Sequence, residues 1–267
     1  MTSETENTQA AHTVRATAPE QPLGSASATA AAAVTAGVTA TASGGGQGPV
    51  RLLADTLPDI RRTGVGTVLI SEWDADGPAR QQAMAEGAAR ALRAAPLPDG
   101  LVSQVYLTGT DGRTVLGFGQ WEDGPAGPSP AAVEAGGARR YRYYRSLLPQ
   151  GEQPEPGCVV AVSFETTGHE AARQLVDGLL DMMGGVQPGS DETARTGSGG
   201  ISSNFHISED GTRVFNYSEW TDEAAHQRMV ESSLQQGGAV LSLVASIPGV
   251  TSLGFKRYVT PRGLVRR

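Results

Sequence analysis

TDGRTVLGFGQWED (Thr110–Asp123) and SEDGTRVFNYSEWTDE (Ser208–Glu223) are two versions of one stretch. Each holds an Asp-Gly pair, a signal for a tight turn, followed by an extended run that ends on Trp and an acid. Asp111 and Asp210 correspond at the same offset as Trp121 and Trp220. The flanking order repeats as well. An apolar strand opens each copy, GTVLISEWD (Gly66–Asp74) and GCVVAVSFE (Gly157–Glu165), and a helical segment follows. In the second copy Ala172, Leu175, Val176, Leu179, Leu180 and Met183 recur at three- and four-residue steps and form one apolar stripe. The Ala-rich counterpart keeps Met84, Ala88 and Leu92 in register. Thr221, Asp222 and Glu223 can start a second helix after Trp220. The matching stretch DGPAGPSPAAVEAGG has room only for a short one. RYRYYRSLL and SLGFKRYVT close the two copies as strands.

The order strand, helix, strand, strand, helix, strand, taken twice, predicts an α+β fold of two tandem ferredoxin-like units. The open faces of their sheets are expected to pack together as an intramolecular pair, an internal dimeric α/β barrel. The expected divisions are a disordered tail at 1–47, a first unit at 48–150 and a second at 151–267. The tail is almost entirely Ala, Thr, Ser, Gly and Glu, and no basic segment precedes its Ala-rich part, as a signal peptide would require.

Twenty-eight acids against 21 bases leave a formal charge of −7, which gives a nucleic-acid or membrane-surface role no electrostatic support. No apolar run approaches the ~20 residues that cross a bilayer. A cytoplasmic location is the default expectation. The single cysteine, Cys158, excludes an internal disulfide and opens an apolar run, where a buried inert thiol is expected. Histidines 12, 169, 206 and 226 lack metal-ligand spacing, so no metal is expected. Neither a dinucleotide fingerprint after a strand nor a G-x-S-x-G elbow is present.

Alternation puts Val214, Asn216, Ser218 and Trp220 on one face of their strand, and Phe215, Tyr217 and Glu219 on the other. An amide and a hydroxyl between Val and Trp make that face a solvated surface or a pocket wall. Asn is depleted in strands and needs partners when buried. The position of His206 depends on the turn. A two-residue loop at Asp210-Gly211 sets His206 opposite Phe215, away from Asn216. A three-residue loop with Gly211 in a bulge sets it opposite Val214, so that Asn204, His206, Asn216, Ser218 and Trp220 share one surface. The run RRYRYYR (Arg139–Arg145) reads as a charged strand edge or as a rim for an anionic substrate.

The pattern Asn216-x-x-x-Trp220, with His206 on the preceding strand, resembles the antibiotic biosynthesis monooxygenase family, in particular its quinone-forming members in aromatic polyketide pathways. The resemblance spans residues 60 to 262, but the motif is complete only in the second unit. Gly117 stands for the Asn and Leu107 for the His in the first, where only Trp121 remains. It implies one active pocket per chain, with Asn216, Trp220 and His206 catalytic and Asn204, Tyr217, Ser218 and His226 binding substrate. It implies oxidation of an anthrone-like polyphenol to a quinone by O2, without a bound cofactor. Reduced FMN or FAD as a diffusible co-substrate is the alternative cofactor reading. A flavin-dependent oxygenase or a non-catalytic polyketide-binding protein are the competing functions. The expected partner is a small aromatic molecule; an internal pair of units leaves further homodimer formation open.

Overall fold

The computed structural model describes residues 52–124, 127–128, 137–148, 153–184, 199–235 and 238–267. The expected tail at 1–47, and most of the place expected for the first unit's second helix, lie outside these residues.

Alternating apolar residues build strands β2 (Val65–Asp74), β3 (Leu101–Gly109), β4 (Thr114–Glu122) and β5 (Arg139–Leu147) in the first unit. Helix α1 (Pro78–Ala94) connects β2 to β3. The second unit contains β6 (Cys158–Thr166), α2 (His169–Gly184), β7 (Gly200–Ser208), β8 (Arg213–Trp220), α3 (Glu223–Gln235), α4 (Ala239–Ser246) and β9 (Val250–Arg266). A short β1 (Leu52–Ala54), which the sequence reading did not anticipate, pairs with the end of β9.

Within each unit the strands lie in the order β3-β4-β2-β5 and β7-β8-β6-β9. β5 then pairs with β7, and β9 pairs with β3 as well as β6, so eight antiparallel strands close into a barrel. Closure leaves only the added β1 as an edge, which removes the exposed ladder an open sheet would present. β9 runs on past the expected boundary at Thr260. Its backbone turns through positive φ at Thr260 (52°) and Gly263 (151°), where a side chain at 263 would collide with the carbonyl of Gln104.

The expected solvated edge at Arg139–Arg145 is corrected by this closure. β5 is an inner strand at the seam of the two units, hydrogen-bonded on both sides. Its arginines reach across to Asp210 (Arg139, 2.9 Å) and Asp177 (Arg145, 2.7 Å), both on the second unit.

One core fills the barrel and draws on both units: Val68, Ile70, Leu107, Leu116, Phe118, Tyr141, Val159, Phe215, Tyr217 and Tyr258. Outside the barrel, the expected α2 stripe from Ala172 to Leu180 is buried against Phe164, Phe205, Ile207 and Val214. Met84, Ala88 and Leu92 of α1 are likewise buried against the first sheet. Each unit therefore has an inner face toward the other unit and an outer face toward helices.

Candidate active site between the second sheet and its helices

The β7–β8 register pairs Ile207 with Val214, His206 with Phe215 and Asn204 with Tyr217. The strands stop at Ser208 and resume at Arg213, so the loop is four residues long, and the Gly211 amide donates to the Ser208 carbonyl (2.8 Å). A four-residue loop has the parity of the two-residue one. His206 therefore shares the barrel face with Phe215 and Tyr217, and Asn216 and Trp220 face the helices. The expectation of one surface carrying all three is corrected on this point.

The helix side of this sheet is polar and aromatic. Asn216, Ser218 and Trp220 lie beside Val162, Val160 and Cys158 of β6, and next to those come Phe255 and Arg257 of β9. Asp222 accepts the backbone N–H of Ala225 (2.8 Å) and starts α3, whose first turn brings His226 down onto Trp220. The imidazole is 3% exposed and meets Trp220 and Phe255 edge to face, with centroids 4.9 and 4.8 Å apart. Arg257 Nε donates to His226 Nδ1 (2.9 Å), and its Nη2 donates to Gln227 Oε1 (2.5 Å). The guanidinium also lies over the Phe255 ring, 5.0 Å from the centroid.

Burial, then the charge of Arg257, pushes the His226 pKa down to about 4, so the ring is neutral near pH 7. An arginine can only donate, so Nδ1 is the acceptor and Nε2 carries the proton. His226 is thereby set as a donor. The Trp220 indole N–H is already committed to Ser218 Oγ (3.0 Å), which itself donates to the Ser202 carbonyl (2.9 Å). The Trp220 indole is thus not a free donor but a ring held in place by Ser218. Asn216 differs from its neighbours: its Oδ1 is buried and has no hydrogen-bond partner among the described residues.

The other candidates lie inside the barrel. His206 is fully buried between the rings of Phe118 and Tyr143, each 5.8 Å away and edge-on, and neither ring nitrogen has a well-formed hydrogen bond. Burial pushes its pKa down to about 4, with the backbone at Phe215 and Asn204 offsetting only part of that. Asn204 uses both ends of its amide, accepting from Ser146 (2.6 Å) and donating to Ser202 (2.7 Å) and the Tyr217 carbonyl (3.0 Å). The Tyr217 hydroxyl is buried without a partner among the described residues, and burial raises its pKa well above the ordinary phenol value. These three residues face the barrel core and lie across the sheet from Asn216.

The equivalent place in the first unit is filled. A Cβ at Gly117 would come 2.5 Å from Ser71 Oγ and 3.5 and 3.7 Å from the rings of Trp73 and Tyr106. Those two rings stack at 5.5 Å in the space an amide would need. Cys158 is buried, and burial pushes its thiol up to about 11, away from nucleophilic use. Among the described residues no His, Cys, Asp and Glu cluster could hold a metal, and no helix is long and apolar enough to cross a membrane.

His226 was the weaker of the two histidine candidates in sequence, and Arg257 was not singled out at all. Arg257 could have been found by alternation, since it shares a face with Phe255 on the strand that closes the second copy.

No family model and no curated protein sequence matches the chain. Its fold is similar to that of a crystal structure described as an anthrone oxidase-like protein. That match has 16% identity and a TM-score of 0.53, and covers 79% of this chain and 96% of the other. Weaker likeness extends to a Listeria monocytogenes ferredoxin-fold protein related to antibiotic biosynthesis monooxygenases, with 12% identity, TM-score 0.40, and coverage of 75% and 98%. A Fusobacterium nucleatum protein described as a putative monooxygenase matches with 8% identity, TM-score 0.44, and coverage of 77% and 96%.

Proposed function

We propose that the protein is a monooxygenase that oxidises an aromatic polyketide, an anthrone-like polyphenol, to a quinone with O2 in antibiotic biosynthesis, without a resident cofactor. The observation that carries this reading is the Asn216 carboxamide oxygen, buried and without a partner among the described residues, on the same face of β8 as Trp220, which His226 meets edge to face while bonded to Arg257. A phenolic hydroxyl next to a ring carbonyl offers that amide a donor and an acceptor together. Asn216 then accepts from the phenol through Oδ1 and donates through Nδ2 to the neighbouring oxygen.

The reaction converts a ring CH2 and O2 into a ring C=O and water. Loss of one proton from the CH2 leaves a delocalised enolate, which passes one electron to dioxygen. Recombination of the two radicals forms the C–O bond. The resulting peroxide anion takes up the proton first lost from the ring, and departure of hydroxide with the second C–H proton gives water and the quinone carbonyl. The protein's task is to favour the enolate. Arg257 supplies a permanent positive charge at a side chain only 15% exposed, where a charge acts more strongly than in water. The Nε2–H of His226 and the amide of Asn216 donate toward the developing oxyanion, and Trp220 and Phe255 hold the rings. His206 lies across the sheet and takes no part.

Purified protein supplied with an anthrone in air, with and without reduced FMN, tests this reading through oxygen uptake and quinone absorbance. Turnover without flavin supports it. Turnover only with flavin makes the protein a flavin-dependent oxygenase, and binding without turnover in either condition makes it a polyketide-binding protein.

A further inference from the structure

At one end of the barrel β5 and β8 begin while β2 and β6 run out, and a cavity of about 420 Å³ opens there between the units. Its floor is aromatic and apolar: Tyr141 and Phe215, 6% and 2% exposed, with ring centroids 6.1 Å apart. Its wall is cationic. Arg139, Arg213 and Lys256 line it, and Glu72, the one carboxylate among the described lining residues, is paired with Lys256 at 3.2 Å. The acids that pair with Arg139 and Arg213, namely Asp210 and Glu165, have side chains about half exposed and lie outside the lining. Such exposed pairs are worth roughly 0–1 kcal/mol, so a ligand carboxylate can take their place at little cost. The excess of positive charge occurs in a chain of formal charge −7.

A second feature points the same way. Leu253 and Phe255, 51% and 41% exposed, stand at the rim on either side of Gly254, which adopts φ +86° where β9 bulges against β6. Two large apolar side chains left in water beside an aromatic-floored cavity are covered if a planar ligand enters. We propose that this mouth is a second ligand site that takes an anionic planar aromatic of two or three fused rings. The rings lie against Tyr141 and Phe215 beneath Leu253, and the carboxylate is held by Arg213, Arg139 and Lys256. Guanidinium groups suit this because their planar fork matches a carboxylate. The site shares Phe255, at its rim, with the group around His226, but uses none of Asn216, Ser218, Trp220 or His226, so its binding does not depend on the proposed oxidation.

Calorimetric titration with 2-naphthoate and with its neutral counterpart 2-naphthamide tests the proposal. The acid is expected to bind about tenfold or more tightly than the amide, the scale of one charge-assisted pair. Arg213→Gln with Lys256→Gln removes that advantage and leaves the amide unchanged, and Asn216→Ala alters neither. Should the double variant fold poorly, raising the ionic strength on the unmodified protein gives the same reading, weakening the acid and sparing the amide. Equal affinity for acid and amide, indifference to the double substitution and to salt, or loss of binding in Asn216→Ala would each overturn it.

Discussion

At Asn216 the fold keeps an amide oxygen buried with no partner among the described residues, an arrangement that ordinarily costs about 1–3 kcal/mol. Removing the amide with an apolar residue of similar size should then relieve the fold and, on the proposed function, abolish its part in the reaction. Asn216→Leu is expected to leave the melting temperature unchanged or raise it. Asn216→Ala is expected to lower quinone formation about a hundredfold, the scale of one lost oxyanion donor. Trp220→Phe keeps a ring and loses only the bond to Ser218, so its turnover should fall less than tenfold, on the order of one neutral hydrogen bond. Asn216 was legible as a candidate because Asn is an odd residue for a strand. Its unpaired oxygen was not legible, since pairing depends on neighbours from other strands.

The two buried histidines carry a pH signature at the same scale. His206 and His226 are held at about 4, against 6.5 for a free imidazole. Between those values the unfolded chain binds protons that the folded one refuses. Stability is therefore full above pH 6.5 and is lost as the pH falls toward 4. His206→Leu, copying Leu107 of the first unit, removes one of the two contributions. Urea midpoints across that range should then show a shallower fall than in the unmodified protein.

Among the elements, the hairpin loops decide where every site residue points. Both loops have four residues, with Gly112 and Gly211 each at φ +70°, and Asp111 and Asp210 accept backbone and hydroxyl donors from the residues that follow. Each glycine also abuts the start of a helix. A Cβ at Gly211 would lie 2.5 Å from the backbone nitrogen of His169, and one at Gly112 would lie 2.9 Å from Pro78 Cγ. Gly211→Ala meets backbone and should lower the urea midpoint by about 1–3 kcal/mol of stability, the range of strained φ. Gly112→Ala meets a ring edge and should cost less. The Asp-Gly pairs, the alternation and the α2 stripe were plain in the sequence. Loop parity was not, because one residue more or less transfers a whole strand to the other face. That single unknown is why His206 was grouped with Asn216.

Taken whole, the molecule has one barrel core drawn from both units and two strands, β5 and β9, that hydrogen-bond across the seam. Unfolding either unit strips the inner face of the other. A single cooperative transition is expected, with fluorescence dominated by Trp220 in a Trp73→Phe/Trp121→Phe background coinciding with far-UV circular dichroism. Separate transitions for the two probes would contradict the shared core. The duplicated architecture was readable because two copies confirm each other. The added β1 and the long end of β9 were not, since Pro261 and Gly263 break the strand pattern that tertiary pairing restores.

The filled pocket around Gly117 shows what joining two copies in one polypeptide permits. In an assembly of identical subunits every substitution occurs in both, so neither member can give up its catalytic groups alone. Covalent fusion lifts that restriction. Here one half has stacked Trp73 and Tyr106 where the other keeps an amide, a divergence that identical subunits could not show.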